Sequence, residues 1–414
     1  MQIDEQTFKN AMAQLAAGVT IVTTLHDGTR FGLTATSTTS VSIEPPQVLV
    51  SVATRLDSHR AIAESGVFAV NILGAEQLEE AKVFAGMRQE IEDRFEPFEH
   101  YTAATGSPIL ANVLVWLDCE VSHAYDGEDH TIYVGRIVDG EVKRPGQPLL
   151  YYGRRWGRVA TLPPSRVQLI EGSVLTLSDA TVEQRVKWVE DLAEAGVNRF
   201  RAPAFSDMMD RQQAMLDALP LIEGIDYALA VDDVAAIDAA AEFGATIVEI
   251  APSAPDQVGL AAQAKALGMR VNGQIIPSPN SSLEDLKNKM DRLLEAQVDE
   301  ITVSDLGGSI TPAWLRRYLS VLTSWAGPSP IILQLDDRFG LGLANVQTAL
   351  EEDVRAFVTT VGGLANRPAL EDSAYLMNQS GVVTGIEIGE VCGIARQMSY
   401  ALQRQMPGRL HKQM

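Results

Sequence analysis

Small hydroxyl side chains are concentrated in one segment near the amino terminus, GLTATSTTSVSIEPPQVLVSV, from Gly32 to Val52. Small side chains let a backbone approach a flat ligand closely, and hydroxyl and amide groups can hydrogen-bond its polar edge. The segment therefore predicts a strand, a turn and a strand that present N–H and O–H groups to a planar or phosphorylated ligand. The alternative is a Thr/Ser-rich hairpin on the surface of a barrel, since threonine favours strands. The residues alone leave both interpretations open.

The length and charge of the chain restrict its class. At 414 residues the chain is too long for one ordinary domain, and about two or three are expected. A net charge of −21 disfavours a nucleic-acid partner, because such binding depends on neutralised phosphates. No apolar run approaches the roughly 20 residues that span a bilayer, so no membrane partner is expected.

The termini and cysteines indicate a cytoplasmic protein. The first ten residues, MQIDEQTFKN, carry acids where a signal peptide would carry bases, which argues against export. The two cysteines, Cys119 and Cys392, lie far apart in sequence and form no disulfide framework. We expect both to be small buried side chains in a reducing compartment.

The elements that must position the hydroxyl segment are short strands separated by turn residues. They predict a closed or sandwiched sheet, interrupted by a long polar helical stretch from Ala75 to Arg94. The candidate strands are VTIVTT, QVLVSVA, VFAVNIL, VLVWLDCEV, HTIYVGRIV and PLLYY.

After the proline-stiffened segment TLPPS (161–165) the pattern changes to alternating strands and amphipathic helices. Glycines such as Gly196, Gly244 and Gly268 end several of these helices. Eight such units predict a (β/α)8 barrel, the TIM-barrel fold. The candidate strands begin near Val167, Arg199, Tyr227, Thr246, Met269, Glu300, Ile331 and Ala356.

A series of motifs in the first 160 residues resembles the flavin reductase family. Besides the hydroxyl segment they are LAAGVTIVTT (Leu15 to Thr24), SHRAIAESGVFAVNIL (Ser58 to Leu73), DHTIYVGRIV (Asp129 to Val138) and PLLYYGRRWG (Pro148 to Gly157). The resemblance implies a β-rich split barrel, typically a homodimer with flavin near the subunit interface. It also implies an NAD(P)H:flavin oxidoreductase that uses FMN or FAD, takes hydride from NADH or NADPH, and often supplies a partner monooxygenase.

The resemblance also implies which residues contact the cofactors. His130 is expected on the nicotinamide side, as the catalytic position, with Tyr152 and Arg155 lining the same site. The other expected cofactor contacts are Thr34, Ala35, Thr36, Ser37 and Thr38 along the isoalloxazine, Ser51 and Val52 beside it, Ser58, His59 and Arg60 at the phosphate, and Phe84, Ala85 and Arg94 closing the pocket.

Each assignment has a structural alternative. A single hydroxyl in a Ser/Thr run is often without a role, and His130 is alternatively a hydrogen-bonded strand histidine. Arg94 is alternatively part of a solvated helix face, QEIEDRF.

The second half resembles the HMG-CoA-lyase-like family of metal-dependent enzymes, most clearly from Leu333 to Pro368. It departs from that family where the chemistry lies. Gln334 and Asp336 occupy the positions where that family has its two metal-binding histidines. Ile170 replaces the family's catalytic arginine, and Arg367 replaces the cysteine of its glycine-rich loop. No histidine occurs between His130 and His411. We therefore expect no metal and a degenerate barrel that is a scaffold, a small-molecule sensor or a docking surface. A residual site of oxygen ligands is the alternative, built from Glu171, Asp305, Asp336 and Asp337.

The domains follow from these resemblances: a flavin reductase-like domain at 1–160, a linker at 161–165, a barrel at 166–405 and a tail at 406–414. The predicted function is transfer of hydride from NAD(P)H to flavin for a partner monooxygenase, in a homodimer or higher homo-oligomer with a possible effector in the barrel. A flavin-binding sensor or adaptor, and a metal-dependent lyase with an accessory flavin module, are the alternatives.

Overall fold

The computed structural model describes residues 3–159, 163–202, 218–219, 221–278 and 281–414. The chain divides into two units, Met1–Val159 and Ala160–Met414. The division falls just before the predicted linker 161–165, of which residues 161 and 162 lie outside the described residues.

The first unit is built on an antiparallel sheet of seven strands in the order β3-β2-β6-β9-β10-β5-β4, with a three-stranded sheet β1-β11-β12 and a two-stranded sheet β7-β8. The elements are α1 (Glu5–Met12), β1 (Ala17–Gly18), β2 (Thr20–His26), β3 (Thr29–Ala35), β4 (Thr39–Ile43), β5 (Pro46–Ala53), α2 (Asp57–Ser65), β6 (Val67–Ile72), α3 (Leu78–Phe84), β7 (His100–Thr102), β8 (Pro108–Leu110), β9 (Val115–Gly127), β10 (His130–Val142), β11 (Leu149–Tyr152) and β12 (Arg155–Arg158).

The strands form where the sequence alternates apolar and polar residues. In β5, Val48, Val50 and Val52 point into the core while the residues between them are half-buried. Asp27 and Gly28 connect β2 to β3 with positive φ at both positions (48° and 75°), which suits a two-residue hairpin turn.

The long helix predicted from Ala75 to Arg94 is wrong in extent, because only Leu78–Phe84 is α-helical. Gly86 takes a φ of 74° just after the helix and turns the chain. The Phe95 ring then packs edge-on against the Phe84 ring, with centroids 4.9 Å apart. The position of Phe95 is thus set by a contact with Phe84 that a helical pattern in the sequence does not predict.

The second unit contains a closed barrel of eight parallel strands, β13 to β20, in which β20 pairs with β13. Each of the eight predicted strand segments forms one of these strands. The elements are β13 (Gln168–Glu171), α4 (Val182–Glu194), β14 (Arg199–Ala202), β15 (Asp226–Val231), α5 (Val234–Phe243), β16 (Ile247–Ile250), α6 (Gln257–Ala266), β17 (Arg270–Ile275), α7 (Leu283–Glu295), β18 (Glu300–Ser304), α8 (Pro312–Ala326), β19 (Ile331–Gln334), α9 (Gly342–Leu350), β20 (Ala356–Thr359), α10 (Leu370–Gln379) and α11 (Ile388–Ala401).

Residues 406–414, predicted as a tail, pack onto this second unit. His411 is buried, and its Nδ1 lies 2.8 Å from Oε1 of the buried Glu371. The N–H of Gly408 donates to the carbonyl of Gly362 at 2.7 Å. The segment is therefore held by buried polar contacts.

Both cysteines are free and buried, as predicted. Burial raises the pKa of the Cys119 thiol to about 12, so it stays protonated at neutral pH. Among the described residues, no helix is both long enough and apolar enough to span a bilayer.

Asn71 tests how the first unit is held together. This fully buried side chain donates to the Ile21 carbonyl at 3.1 Å and accepts from the Leu110 N–H at 2.8 Å, joining three strands. Replacement by leucine leaves the Leu110 N–H buried without an acceptor, so we expect Asn71→Leu to lower the free energy of unfolding by about 2 kcal/mol.

Urea denaturation followed by tryptophan fluorescence measures this loss. The matched control is Asn10→Leu on the exposed helix α1, which should change the free energy by less than about 0.5 kcal/mol. Equal stability of the two variants would contradict the role given to Asn71.

Candidate functional site

A cavity of about 520 Å³ opens in the first unit between β3, the start of α2 and the segment after α3. Five of the predicted cofactor-binding residues line it: Thr34, Ser58, Phe84, Ala85 and Arg94. The remaining lining residues are Arg30, Phe31, Gly32, Leu33, Arg55, Leu56, Asp57, Glu92, Asp93 and Phe95.

One wall of the cavity depends on a glycine. A Cβ at Gly32 would lie 2.5 Å from the Phe84 ring, so only glycine allows β3 and α3 to approach this closely. Arg94 fastens the same wall, because its Nη1 donates to the carbonyls of Gly32 (3.2 Å) and Phe84 (3.3 Å). Arg94 therefore braces the cavity in addition to lining it, rather than lying on a solvated helix face.

The amino terminus of α2 opens into the cavity. Its N-cap residue, Leu56, supplies no side-chain acceptor for the first N–H groups of the helix. Ser58 is 7% exposed, and its hydroxyl has no hydrogen-bond partner among the described residues. Free N–H groups at a helix start, together with a hydroxyl, suit the oxygens of a phosphate.

Three arginines, Arg30, Arg55 and Arg94, and three acids, Asp57, Glu92 and Asp93, line the cavity. Arg55 is exposed and makes no side-chain hydrogen bond or salt bridge within the described residues. Arg30 is engaged, since its Nη2 lies 2.8 Å from Asp93 Oδ2 and its Nη1 lies 2.6 Å from His100 Nε2. Arg55 is thus the lining arginine whose guanidinium is open to an anionic ligand.

The hydroxyl run makes hydrogen bonds within the protein. Thr34 donates to the Ala81 carbonyl at 2.7 Å, and Ser37 donates to the Ser51 carbonyl at 3.0 Å. The Thr20 hydroxyl donates to a carbonyl in β3, and the Thr38 hydroxyl lies 2.9 Å from it and therefore donates to it. The hydroxyl protons of Thr34, Ser37 and Thr38 thus tie β3 and the segment after it to α3, β5 and β2.

Residues 36–38 form the connection between β3 and β4, so their N–H groups lie outside the strand ladders. Thr36 is exposed within this connection, and Ala35 is buried just before it. Val52 is fully buried in the core, and it pairs in register with Thr131 of β10. Main-chain groups, with the Thr36 hydroxyl, are what this part of the predicted site offers.

His130 lies at the start of β10, where it pairs in register with Ala53 at the end of β5. Its side chain is 41% exposed, and its Nδ1 lies 2.7 Å from Asp129 Oδ1. This hydrogen bond lowers the pKa of the Asp129 carboxyl. His130 does not line the cavity, but it stands beside the chain that runs from Ala53 through Arg55 into it.

The two other predicted phosphate residues lie on α2. The His59 Nε2 is 2.8 Å from the Thr131 hydroxyl, so this histidine ties α2 to β10. Arg60 is exposed and does not line the cavity. Around the start of α2, the cavity is lined by Ser58 and by Arg55, which precedes the helix.

Tyr152 and Arg155 lie apart from the cavity lining. They face each other across the β11–β12 pair of the three-stranded sheet. The Tyr152 hydroxyl lies 3.2 Å from the Gln14 side chain, which it contacts instead. Their predicted contact with a nicotinamide stays a prediction.

Sequence reasoning missed Arg30 and Arg55. Arg55 stands two residues before α2, a position that marks an anion site once a helix start is recognised. Arg30 carried no such signal, because its partners Asp93 and His100 are distant in sequence.

The barrel carboxylates are bonded within the protein. Glu171, which is fully buried, accepts from the N–H groups of Ser173 and Val174, and burial raises its pKa. Asp336 pairs with Arg338 at 2.7 Å. No group of three or more His, Cys, Asp or Glu side chains in the described part of the chain is arranged to hold a metal.

The family model described as "Flavin reductase like domain" matches residues 12–160. The reductase subunit HsaB of a flavin-dependent monooxygenase from Rhodococcus jostii is 34% identical over 182 residues, covering 43% of this chain and 92% of that protein. The chain belongs to the flavin reductase family. The cavity lies in the first unit, which contains nearly all the residues that match the family.

Other relatives also match somewhat more than a third of this chain. The reductase component of 4-nitrophenol 4-monooxygenase/4-nitrocatechol 2-monooxygenase from Rhodococcus opacus is 37% identical, over 37% of this chain and 81% of that protein. The FMN reductase (NADH) RutF from Agrobacterium fabrum is 34% identical, over 36% of this chain and 85% of that protein. The first unit is thus a flavin reductase with a split-barrel fold, and the family match does not extend into the barrel.

Arg55 tests whether this end of the cavity binds a flavin phosphate. Removing an exposed guanidinium that meets a phosphate costs one charge-assisted contact, so Arg55→Ala should raise the Kd for FMN about tenfold. Riboflavin has no phosphate, and its Kd should change less than about twofold. Quenching of flavin fluorescence measures both constants.

The control for this experiment is Arg136→Ala. Arg136 lies in β10, forms a surface salt bridge with Glu120 and does not line the cavity. Its affinity for both flavins should equal that of the parent protein. An equal loss of FMN and riboflavin affinity in Arg55→Ala would show that Arg55 does not meet the phosphate.

Proposed function

We propose that this chain is an NAD(P)H:flavin oxidoreductase that reduces FMN or FAD at the cavity of the first unit and supplies a partner monooxygenase. The observation that carries the proposal is the cavity itself. The uncapped start of α2, the Ser58 hydroxyl, which bonds no described residue, and the exposed Arg55 meet there beside Gly32 of β3. Family membership supports the reaction, and the names of the monooxygenase reductase subunits among the relatives support the partner.

The chain's own residues bind and orient the two reactants. A flavin supplies the hydride acceptor, so the protein needs no general base. The main-chain groups of residues 36–38 face the polar edge of the ring, while Ser58, Arg55 and the first turn of α2 hold the phosphate. His130, at the end of the adjacent strand pair, positions the nicotinamide so that the two rings meet face to face.

The hydroxyls of Thr34, Ser37 and Thr38 act differently. Their hydrogen bonds brace the strands and so hold the neighbouring amides in place. A preorganised set of N–H donors stabilises negative charge as it develops on the flavin. These threonines and this serine are positioning residues.

For the second unit we propose a TIM barrel of the HMG-CoA-lyase-like kind that lacks metal chemistry and is regulatory or structural. The eight parallel strands and the helices between them along the chain support the fold. Engagement of Glu171, Asp305 and Asp336 in hydrogen bonds within the protein supports the absence of a metal. The proposed domains are 1–160 and 166–405, in a cytoplasmic homodimer.

Oxidation of NADH and NADPH, followed by nicotinamide absorbance with added FMN, FAD or riboflavin, tests the proposed reaction. We expect turnover that rises with flavin concentration and saturates, because flavin is the acceptor. Oxidation of the nicotinamide that is unaffected by every added flavin would refute the proposal.

His130 tests the donor side of the site. His130→Ala removes an imidazole that can hydrogen-bond the nicotinamide donor. We therefore expect the KM for the preferred nicotinamide to rise about threefold to tenfold, while the KM for flavin changes less than about twofold. The matched control is His123→Ala, since His123 lies on the neighbouring strand β9 and stacks on Tyr125. An unchanged donor KM in His130→Ala would remove this residue from the site.

A further inference from the structure

Polar side chains converge inside the barrel at the carboxyl ends of its strands. In β17 and β18, Ile275 and Val303 pack outward with the helices, so the side chains that alternate with them point inward. The same alternation applies to β14, β16 and β19. The inward residues nearest the carboxyl ends are Arg201, Glu249, Gln274, Ser304 and Gln334.

These five side chains form one hydrogen-bonded layer. Arg201 donates through Nε to Glu249 (2.5 Å) and through Nη1 to the Gln334 side-chain oxygen. Ser304 donates to the same oxygen at 3.0 Å and accepts from the Gln274 amide at 2.6 Å. These two hydrogen bonds to its oxygen orient the Gln334 amide, and the amide nitrogen donates to no described residue.

Arg367 extends this layer from the loop after β20. Its Nη1 donates to the carbonyls of Asp305 (2.8 Å) and Leu335 (3.0 Å), which fixes the guanidinium at the mouth of the barrel. In the described part of the chain, no acceptor takes a hydrogen bond from its Nε or Nη2, and no carboxylate forms a salt bridge with it. Burial, and then the nearby charge of Arg201, lower the pKa of Arg367 to about 10, so it is still a cation at neutral pH.

The carboxylates at the mouth already have partners. Asp305 accepts from the N–H groups of Ser309 (2.9 Å) and Ile310 (3.0 Å). Asp336 is paired with Arg338, and Glu249 with Arg201. Arg367 therefore forms no salt bridge with a described residue, although the charges of Asp305 and Asp336 lie near enough to favour its cationic form.

A second, independent observation lies one layer deeper. Asn272 and Thr302 are each 1% exposed and point into the barrel from β17 and β18. Both polar atoms of the Asn272 amide and the Thr302 hydroxyl lack a hydrogen-bond partner in the structure. Buried polar groups without partners are costly, so the barrel interior beneath this layer is polar but not fully hydrogen-bonded among the described residues.

The loops around the mouth carry exposed apolar side chains. Leu306 is 51% exposed in the loop after β18, and Phe339 is 70% exposed in the loop after β19. A hydrogen bond from Arg338 to the Leu306 carbonyl (3.3 Å) joins the two loops. Phe339 lies over Gly308, where a Cβ would meet its ring. Two exposed apolar side chains, with the Arg338–Asp336 pair beside them, therefore stand at the rim above the polar layer.

We propose that the mouth of the barrel binds a small carboxylate that carries an apolar body, with Arg367 as its charge partner, the Gln334 amide as a second donor, and Leu306 and Phe339 against the apolar body. The ligand needs no metal, because a guanidinium supplies the positive charge. The site lies in the second unit and is independent of flavin chemistry.

Calorimetric titration of the full chain with benzoate, phenylacetate and isovalerate tests this proposal, with benzyl alcohol and inorganic phosphate as probes for the two halves of the ligand. At least one carboxylate should bind at least tenfold more tightly than either probe. Arg367→Gln should weaken that binding at least about tenfold, the loss typical of a hydrogen bond to a charged group. The matched control, Arg355→Gln, removes an exposed arginine before β20, at the opposite end of the barrel, and should bind like the parent protein.

Three results would overturn the proposal: no carboxylate of the set binds, benzyl alcohol or phosphate binds as tightly as the carboxylates, or Arg367→Gln binds like the parent protein. If circular dichroism shows that Arg367→Gln is unfolded, Arg367→Lys replaces it and should weaken binding less than tenfold. The comparison of ligands on the parent protein decides the ligand class without any variant.

Discussion

The antiparallel pairing of β5 with β10 is the constraint on which the reductase site depends. Its register sets Ala53 opposite His130, and the hydrogen bonds from the Thr54 N–H and hydroxyl to the Asp129 carbonyl continue it by one residue. The chain then enters α2 directly. The uncapped start of α2 and His130, the predicted nicotinamide residue, therefore lie at the same end of the β5–β10 pair. A slip of one residue would turn every β5 side chain to the opposite face.

Much of this architecture could be predicted from the sequence. The eight barrel strands follow from short apolar runs between amphipathic helices, because these signals are local. The cavity was predicted in part: Ser58 and Phe84 came from family motifs. The end of α3 and the partners of Arg30 and Arg94 were not predictable, since they are fixed by contacts between residues far apart in sequence.

The hydroxyl run shows why a motif can mark a site without supplying its contacts. Thr34 and Ser37 direct their protons to carbonyls of α3 and β5, so their side chains hold the strands at a fixed distance. What remains for a ligand is the backbone of the β3–β4 connection. In the barrel, by contrast, the side chains themselves form the polar layer: Gln334 accepts from Arg201 and Ser304, and Arg367 donates to the carbonyls of Asp305 and Leu335 beside it.

Titration of FMN with the purified chain, followed by quenching of flavin fluorescence, tests the central claim most directly, because the claim is that the first unit holds an isoalloxazine. The account predicts saturable quenching at one flavin per chain. Quenching that stays linear with protein concentration and never saturates would contradict it.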